Sequence, residues 1–364
     1  MSSTGSQCVA SGSIGSTFGQ HLGVEAVGVE HNYLDTGNQS GEMLCQAALM
    51  SMVAQTKPLD LAREMRSFVG RHTDKSFDWD AFPGSRGFPE LERAQMRYIG
   101  AGGSPKADDP STLRPGQFTL SLVHQPVGKY AACHSHEVVE HFLVLQGVLT
   151  VGWAWGYEVI EARLGPKDMV LNKAGQPHGF RNDGVEPVLM SISVGTGTPK
   201  PPVYVCHPRD SDPSAARRFG AAPGKTRMFD PDSDDPRQQE FARHIVRYAG
   251  QQALWDAGFA HLVYIGDGGA PPGQYRMDLV QLAKGVAVCG YSRPVEDAYF
   301  VLDGCVTVGW EKSGHTVEKR LGRKDVIFNP AGRLHYFRND GLTDAEFMVL
   351  VGTPKAEDVK FQGR

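Results

Sequence analysis

Three residues of one short stretch carry the clearest chemistry in this chain. In HSHEVVEHFLVLQG, residues 134–147, His134, His136 and Glu140 stand at alternate positions. If the stretch is one unbroken strand, all three side chains leave the same face. Two imidazoles and a carboxylate make half of a metal site. A further ligand has to come from another strand, and His178 in AGQPHGFRN is the candidate, because that stretch reads as a turn followed by a strand. Three imidazoles and one carboxylate suit Fe(II), Mn(II), Co(II) or Ni(II), with one or two positions open for water or substrate.

The elements that must position these residues are short. Runs such as FLVLQG, VLTVGW, DMVLN and PVLMSISVG alternate with glycine turns, which favours an antiparallel sandwich or barrel over a βαβ fold. The chain also repeats itself. PGQFTLSLVH at 115 recurs as PGQYRMDLVQ at 272, HFLVLQGVLTVGW at 141 as AYFVLDGCVTVGW at 298, and LGPKDMVLNKAGQPHGFRNDG at 164 as LGRKDVIFNPAGRLHYFRNDG at 321. Each pair lies 157 residues apart. Upstream, RYIGAGG at 97 matches VYIGDGG at 263, so the chain holds two copies of one module.

Four segments follow: a Gly/Ser-rich, poorly ordered tail over 1–50, a first module over 51–204, a linker and helix over 205–258, and a second module over 259–364. KPLDLAREMRSFVGRH from 57 and QQEFARHIVRYAGQQALW from 238 have helical spacing. The first helix is expected to pack on the first module and the second on the second. Of the other polar residues, His141 points away from the Glu140 face, Cys133 has the wrong parity for a ligand, and His124 reads as an ordinary barrel histidine. Trp153 and Trp310 recur in both copies and read as packing, while Arg181 and Arg338 read as structural turn or ion-pair residues.

With 364 residues, two domains of ordinary size are comfortable. The charge is nearly balanced, 37 Lys+Arg against 41 Asp+Glu, which leaves no electrostatic footprint for nucleic acid or an anionic membrane. No run approaches the ~20 apolar residues of a membrane span. The six cysteines show no paired spacing, so a reducing, cytoplasmic compartment is expected, with a small soluble molecule as partner.

Gly128 to Gly147, GKYAACHSHEVVEHFLVLQG, resembles the first cupin motif, G(x)5HxH(x)3-4E(x)6G, at every specified position. Gly165 to Asn182 resembles the second, G(x)5PxG(x)2H(x)3N, with Lys173 in place of the motif's proline. The modules together look like a bicupin: an all-β chain of two tandem jelly-roll barrels with a few peripheral helices. The resemblance implies that His178 closes the site from the barrel wall. In the second copy Tyr291, Arg293 and Asp297 stand where His134, His136 and Glu140 stand in the first, and only His335 matches His178. Arginine cannot ligate a cation, so one metal per chain is expected, with Arg293 and Asp297 forming an ion pair.

Bicupins of this kind include ring-cleaving dioxygenases of the gentisate and salicylate type, flavonol dioxygenases and oxalate-degrading enzymes. The resemblance therefore implies an Fe(II)-dependent dioxygenase using O2 on a small aromatic or enolisable substrate, with His134, His136 and His178 as ligands. Glu140 would be a fourth ligand or the general base. The alternatives are a non-redox lyase, decarboxylase or isomerase using Mn, Zn or Ni, and a non-catalytic bicupin that binds a small molecule. Exposed barrel edges lead us to expect a homodimer at least.

Overall fold

The structure, a computed structural model, describes residues 58–102, 109–156, 158–210, 226–256, 259–357 and 359–361; the expected tail over 1–50 and the linker residues 211–225 lie outside them. The described chain is built of short strands in four sheets, paired two by two as the two barrels expected from the repeat.

In the first barrel one sheet orders its strands Ile245–Val246, Met169–Asn172, Glu140–Gln146, Val188–Val194, Leu120–Gln125 and Ala94–Ile99. The facing sheet runs Val203–Tyr204, Tyr130–Ser135, His178–Arg181, Leu149–Trp155, Glu158–Leu164 and Thr226–Met228. Alternation along the strands sends Phe142, Val144, Val151 and Phe180 into the space between the sheets. Leu143, Met169 and Leu171 point the other way, into a second core shared with Leu262, Met277 and Phe300 of the other barrel. The barrels are therefore joined back to back through an apolar layer.

The two helices depart from expectation. α1, Pro58–Arg66, packs on the second barrel, where Leu61 and Met65 are buried. α2, Pro236–Ala242, packs on the first barrel, with Phe241 fully buried 4.9 Å from Trp153. Each helix thus belongs to the opposite module, the reverse of the sequence expectation. Helical spacing shows which face is apolar but not which surface receives it. Both helices also end earlier than the apolar periodicity suggested. After α1, Val69 and Gly70 pair with Ile327 and Val326; after α2, Ile245 and Val246 pair with Val170 and Met169. Sheet hydrogen bonds to an open edge there outweigh helical propensity, and the close approach needs Gly70, whose Cβ would lie 2.9 Å from Val326 Cγ1.

The segments that follow the two helices, here called straps, are anchored in equivalent ways. Arg71 reaches Asp325 at 2.6 Å, and Arg247 reaches Asp168 at 2.8 Å. The same two carboxylates accept the backbone N–H of His72 at 2.9 Å and of Tyr248 at 3.0 Å. The helices are also capped by sequence: Asp60 opens α1 and Arg63 and Arg66 close it, in keeping with the helix dipole. Asp235 caps α2 by accepting from Arg237 N at 2.9 Å, with Pro236 at the first helical position. Lys173, the residue in place of the motif proline, holds Glu240 of α2 at 2.7 Å. No helix among the described residues is long and apolar enough to cross a membrane.

Candidate metal centre

The strand carrying the histidines does not run unbroken to Glu140. It ends at Ser135, the chain bends through 136–139, and a new strand begins at Glu140 in the facing sheet. Alternation of side chains therefore explains His134, while the bend, not a continuous strand, delivers His136 and Glu140. His178 sits directly across the ladder from His134. The four expected residues are all buried, and one donor atom from each lies within 4.8 Å of the others.

The ring orientations are set by backbone carbonyls, which can only accept. His134 Nδ1 donates to Ala132 O at 2.7 Å, and His178 Nδ1 donates to Gln176 O at 2.8 Å. Nε2 of each ring is then the atom left with a lone pair. His178 Nε2 nevertheless lies 3.0 Å from Glu140 Oε2, and His136 Nε2 lies 3.5 Å from the same oxygen. A nitrogen lone pair and a carboxylate oxygen at that distance repel unless a proton or a metal ion lies between them. The donor set therefore fits a divalent ion bound to the Nε2 atoms and the carboxylate.

Charge balance points the same way. Burial, reinforced by the neighbouring imidazoles, holds His134 well below the ordinary histidine value, and burial lowers His136 as well, so both rings are neutral near pH 7. Burial works against ionising Glu140, but the facing His136, His178 and His134 outweigh it and hold its pKa down at about 2. The cluster thus holds an ionised carboxylate against the histidine rings.

His134, His136 and Glu140 open on a cavity of about 1080 Å³. Its walls include Phe82, Phe180, Ile192, Leu113 and Tyr204, together with one deeply placed cation, Arg93. The Arg93 guanidinium stacks 4.1 Å over the Phe82 ring and donates to Ser85 Oγ and Leu91 O, both at 3.1 Å. Sequence reasoning assigned no cavity arginine. The signal lay in the repeat: the 97/263 match puts Phe259 where the first copy has Arg93, so the cation occurs beside the intact ligand set and not beside the altered one.

The other sequence readings separate cleanly. His141 faces the layer between the barrels, its Nδ1 2.8 Å from Tyr275 Oη. His124 packs beside Phe77 and Trp79, outside the cavity walls. Cys133 is buried, and burial pushes its thiol up to about 12. Trp153 and Trp310 each donate Nε1–H to a buried asparagine, Asn172 at 2.8 Å and Asn329 at 2.7 Å. Arg181 forms a two-pronged pair with Glu161 at 2.6 and 2.7 Å, and Arg338 pairs with Glu318.

In the second barrel the expected ion pair is present, Arg293 Nε to Asp297 Oδ2 at 3.0 Å, with both residues buried. His335 keeps the geometry of His178, donating Nδ1–H to Arg333 O at 2.7 Å. Its Nε2 lies 3.3 Å from Asp297 Oδ2, as His178 lies beside Glu140, but it also meets the Tyr299 hydroxyl at 2.9 Å. Tyr299 stands where the first barrel has Phe142, and its O–H supplies the hydrogen that Nε2 needs.

Residues 121–195, which contain all four ligand candidates, match the family described as Cupin domain. No curated protein matches the chain. Among solved structures, the oxalate decarboxylase of Lactobacillus farciminis in complex with formate is similar with a TM-score of 0.57 and 13% identity, over 81% of this chain and 88% of that one. A variant of the Bacillus subtilis oxalate decarboxylase gives 0.58 and 13%, over 81% and 79%. Vicilin from hazelnut, Corylus avellana, gives 0.54 and 11%, over 80% and 87%. Domain match, double barrel and buried ligand cluster agree: residues 121–195 form a cupin domain, within a chain that has the double-barrel fold of the bicupins.

Proposed function

We propose that the chain is a metal-dependent enzyme that acts on a small oxygenated carboxylate without net oxidation, as a decarboxylase, lyase or isomerase. The observation that carries this reading is the pairing, in one cavity wall, of an ionised Glu140 and the histidines His134 and His136 with the buried Arg93. His134, His136 and His178 would hold the ion, with Glu140 as its fourth ligand or the base. When bound, a divalent ion supplies Lewis acidity to a substrate oxygen. Arg93 pairs with the substrate carboxylate, and its stacking on Phe82 fixes the direction of the guanidinium edge. Glu140, being ionised, is competent to take a substrate proton where it does not ligate. Phe82, Phe180 and Ile192 keep bulk water from the reacting end. The similarity to oxalate decarboxylases supports this reading, and one such structure, of the Bacillus subtilis enzyme, concerns its Mn(II) centres. Mn(II) is accordingly our first choice of ion and Fe(II) the second.

A dioxygenase using O2 is the second reading. The cavity of about 1080 Å³ with its phenylalanine walls is far roomier than a two-carbon acid needs and suits an aromatic ring. Turnover of a carboxylate panel by Mn(II)- and Fe(II)-loaded protein, with and without O2, separates the two. Product formation that persists without O2 is the expected result. Uptake of one O2 per product would transfer the assignment to the dioxygenase.

A further inference from the structure

The second barrel has lost its ligand set but not its concentration of charge. Arg293 is 2% exposed and Arg276 is 3% exposed, and both guanidinium groups converge on a single carboxylate, that of Glu357. Arg293 Nη1 meets one Glu357 oxygen and Arg276 Nη2 meets the other, while Arg293 Nε is committed to Asp297 and Arg276 Nε donates to Thr353 O at 3.3 Å. Two arginine edges on the two oxygens of one carboxylate form an anion clamp.

Glu357 does not belong to the barrel wall. It lies between the strand Ala345–Val351 and the two-residue strand Lys360–Phe361, which pairs with Tyr291 and Ser292. The first barrel has the same arrangement, Val203–Tyr204 pairing with His134 and Ser135. There the preceding segment, with Thr198, Pro199, Pro201 and Pro202, walls the open cavity. The segment that borders the cavity in one barrel therefore carries, in the other, a carboxylate that meets two buried arginines.

We infer that the second barrel contains a binding site for a small monocarboxylate, formed by Arg276 and Arg293 and occupied by the chain's own Glu357. Withdrawal of Glu357 leaves two buried guanidinium edges without their acceptor, which is costly unless another anion enters. Asp297 and Asp278, close to the two arginines, already offset part of their charge, so the site selects a singly charged ligand of side-chain size, such as formate or acetate. This inference does not depend on the chemistry assigned to the first barrel.

The test is chemical rescue of Glu357→Ala, read as Tm in formate, acetate or chloride at equal ionic strength. The variant should melt below the unaltered protein, and formate and acetate should saturably restore at least half of the loss while chloride restores none. The Glu357→Ala, Arg276→Met double variant should not respond. An equal response of the unaltered protein and Glu357→Ala would belong to the first barrel and would overturn the inference, as would rescue of the double variant. If Glu357→Ala does not fold in buffer, refolding yield reads the same site: a yield raised by acetate over chloride supports it, and an unchanged yield overturns it.

Discussion

His178 and His335 are held alike, each donating Nδ1–H to the carbonyl two residues before it, at 2.8 and 2.7 Å. Both Nε2 atoms lie beside a carboxylate, Glu140 at 3.0 Å and Asp297 at 3.3 Å; what differs is that His335 also has the Tyr299 hydroxyl at 2.9 Å, and Asp297 the Arg293 guanidinium at 3.0 Å. In the second barrel the hydroxyl serves Nε2 and the guanidinium serves the carboxylate, whereas in the first barrel no protein cation is paired with Glu140 among the described residues. Tyr299→Phe should therefore leave a buried acceptor unmet and cost about 1–3 kcal/mol in urea unfolding, without changing metal content. The second barrel's altered ligands were legible in the sequence as Tyr291, Arg293 and Asp297. Tyr299 was not, because tyrosine and phenylalanine serve a buried strand equally well and the added hydroxyl matters only once its neighbour is known. Arg93 escaped notice because it lies outside both motifs. Arg93→Met should keep the metal and raise KM for a carboxylate substrate about tenfold or more, the effect of losing a charged hydrogen bond, as steady-state kinetics on the metal-loaded protein would show.

At the scale of elements, the short strands and their glycine turns were legible from alternation and glycine spacing, while the break after Ser135 and the docking of the helices were not. The apolar faces of α1 and α2 are plain in the sequence, yet each covers the barrel of the other module. The anchors that decide this, Arg71 to Asp325 and Arg247 to Asp168, join residues far apart in the chain. Lys173 adds a local reason on the first barrel, where it meets Glu240; the corresponding residue in the second barrel is Pro330, as in the motif. Hydrogen bonds from Lys173 and Arg243 hold the Glu240 carboxyl down at about 2, from an ordinary value of 4.5. A depressed carboxylate stabilises the fold fully above its unfolded pKa, and this contribution is lost as pH falls through the folded one. Amide protection of α2 should accordingly weaken between pH 4.5 and 2, and Glu240→Gln should remove that pH dependence; hydrogen exchange of residues 236–242 measures both.

Taken whole, the molecule is two barrels tied by a shared apolar layer and by crossed helical straps. Each barrel buries an element supplied from the other module's side of the chain, Phe241 against Trp153 in one and Phe68 5.4 Å from Trp310 in the other. The interlock predicts a single cooperative unfolding transition, with calorimetry and near-UV circular dichroism coincident; two resolved transitions would show that the barrels unfold separately. Division of labour between the barrels is the central claim: one binds a divalent ion, and the other satisfies the same histidine with protein groups. Metal stoichiometry by plasma mass spectrometry tests it most directly, on the Mn(II)-loaded protein and on its His134→Ala and His335→Ala variants. The account predicts one ion per chain, lost in His134→Ala and retained in His335→Ala. Two ions per chain, or equal loss in both variants, would contradict it.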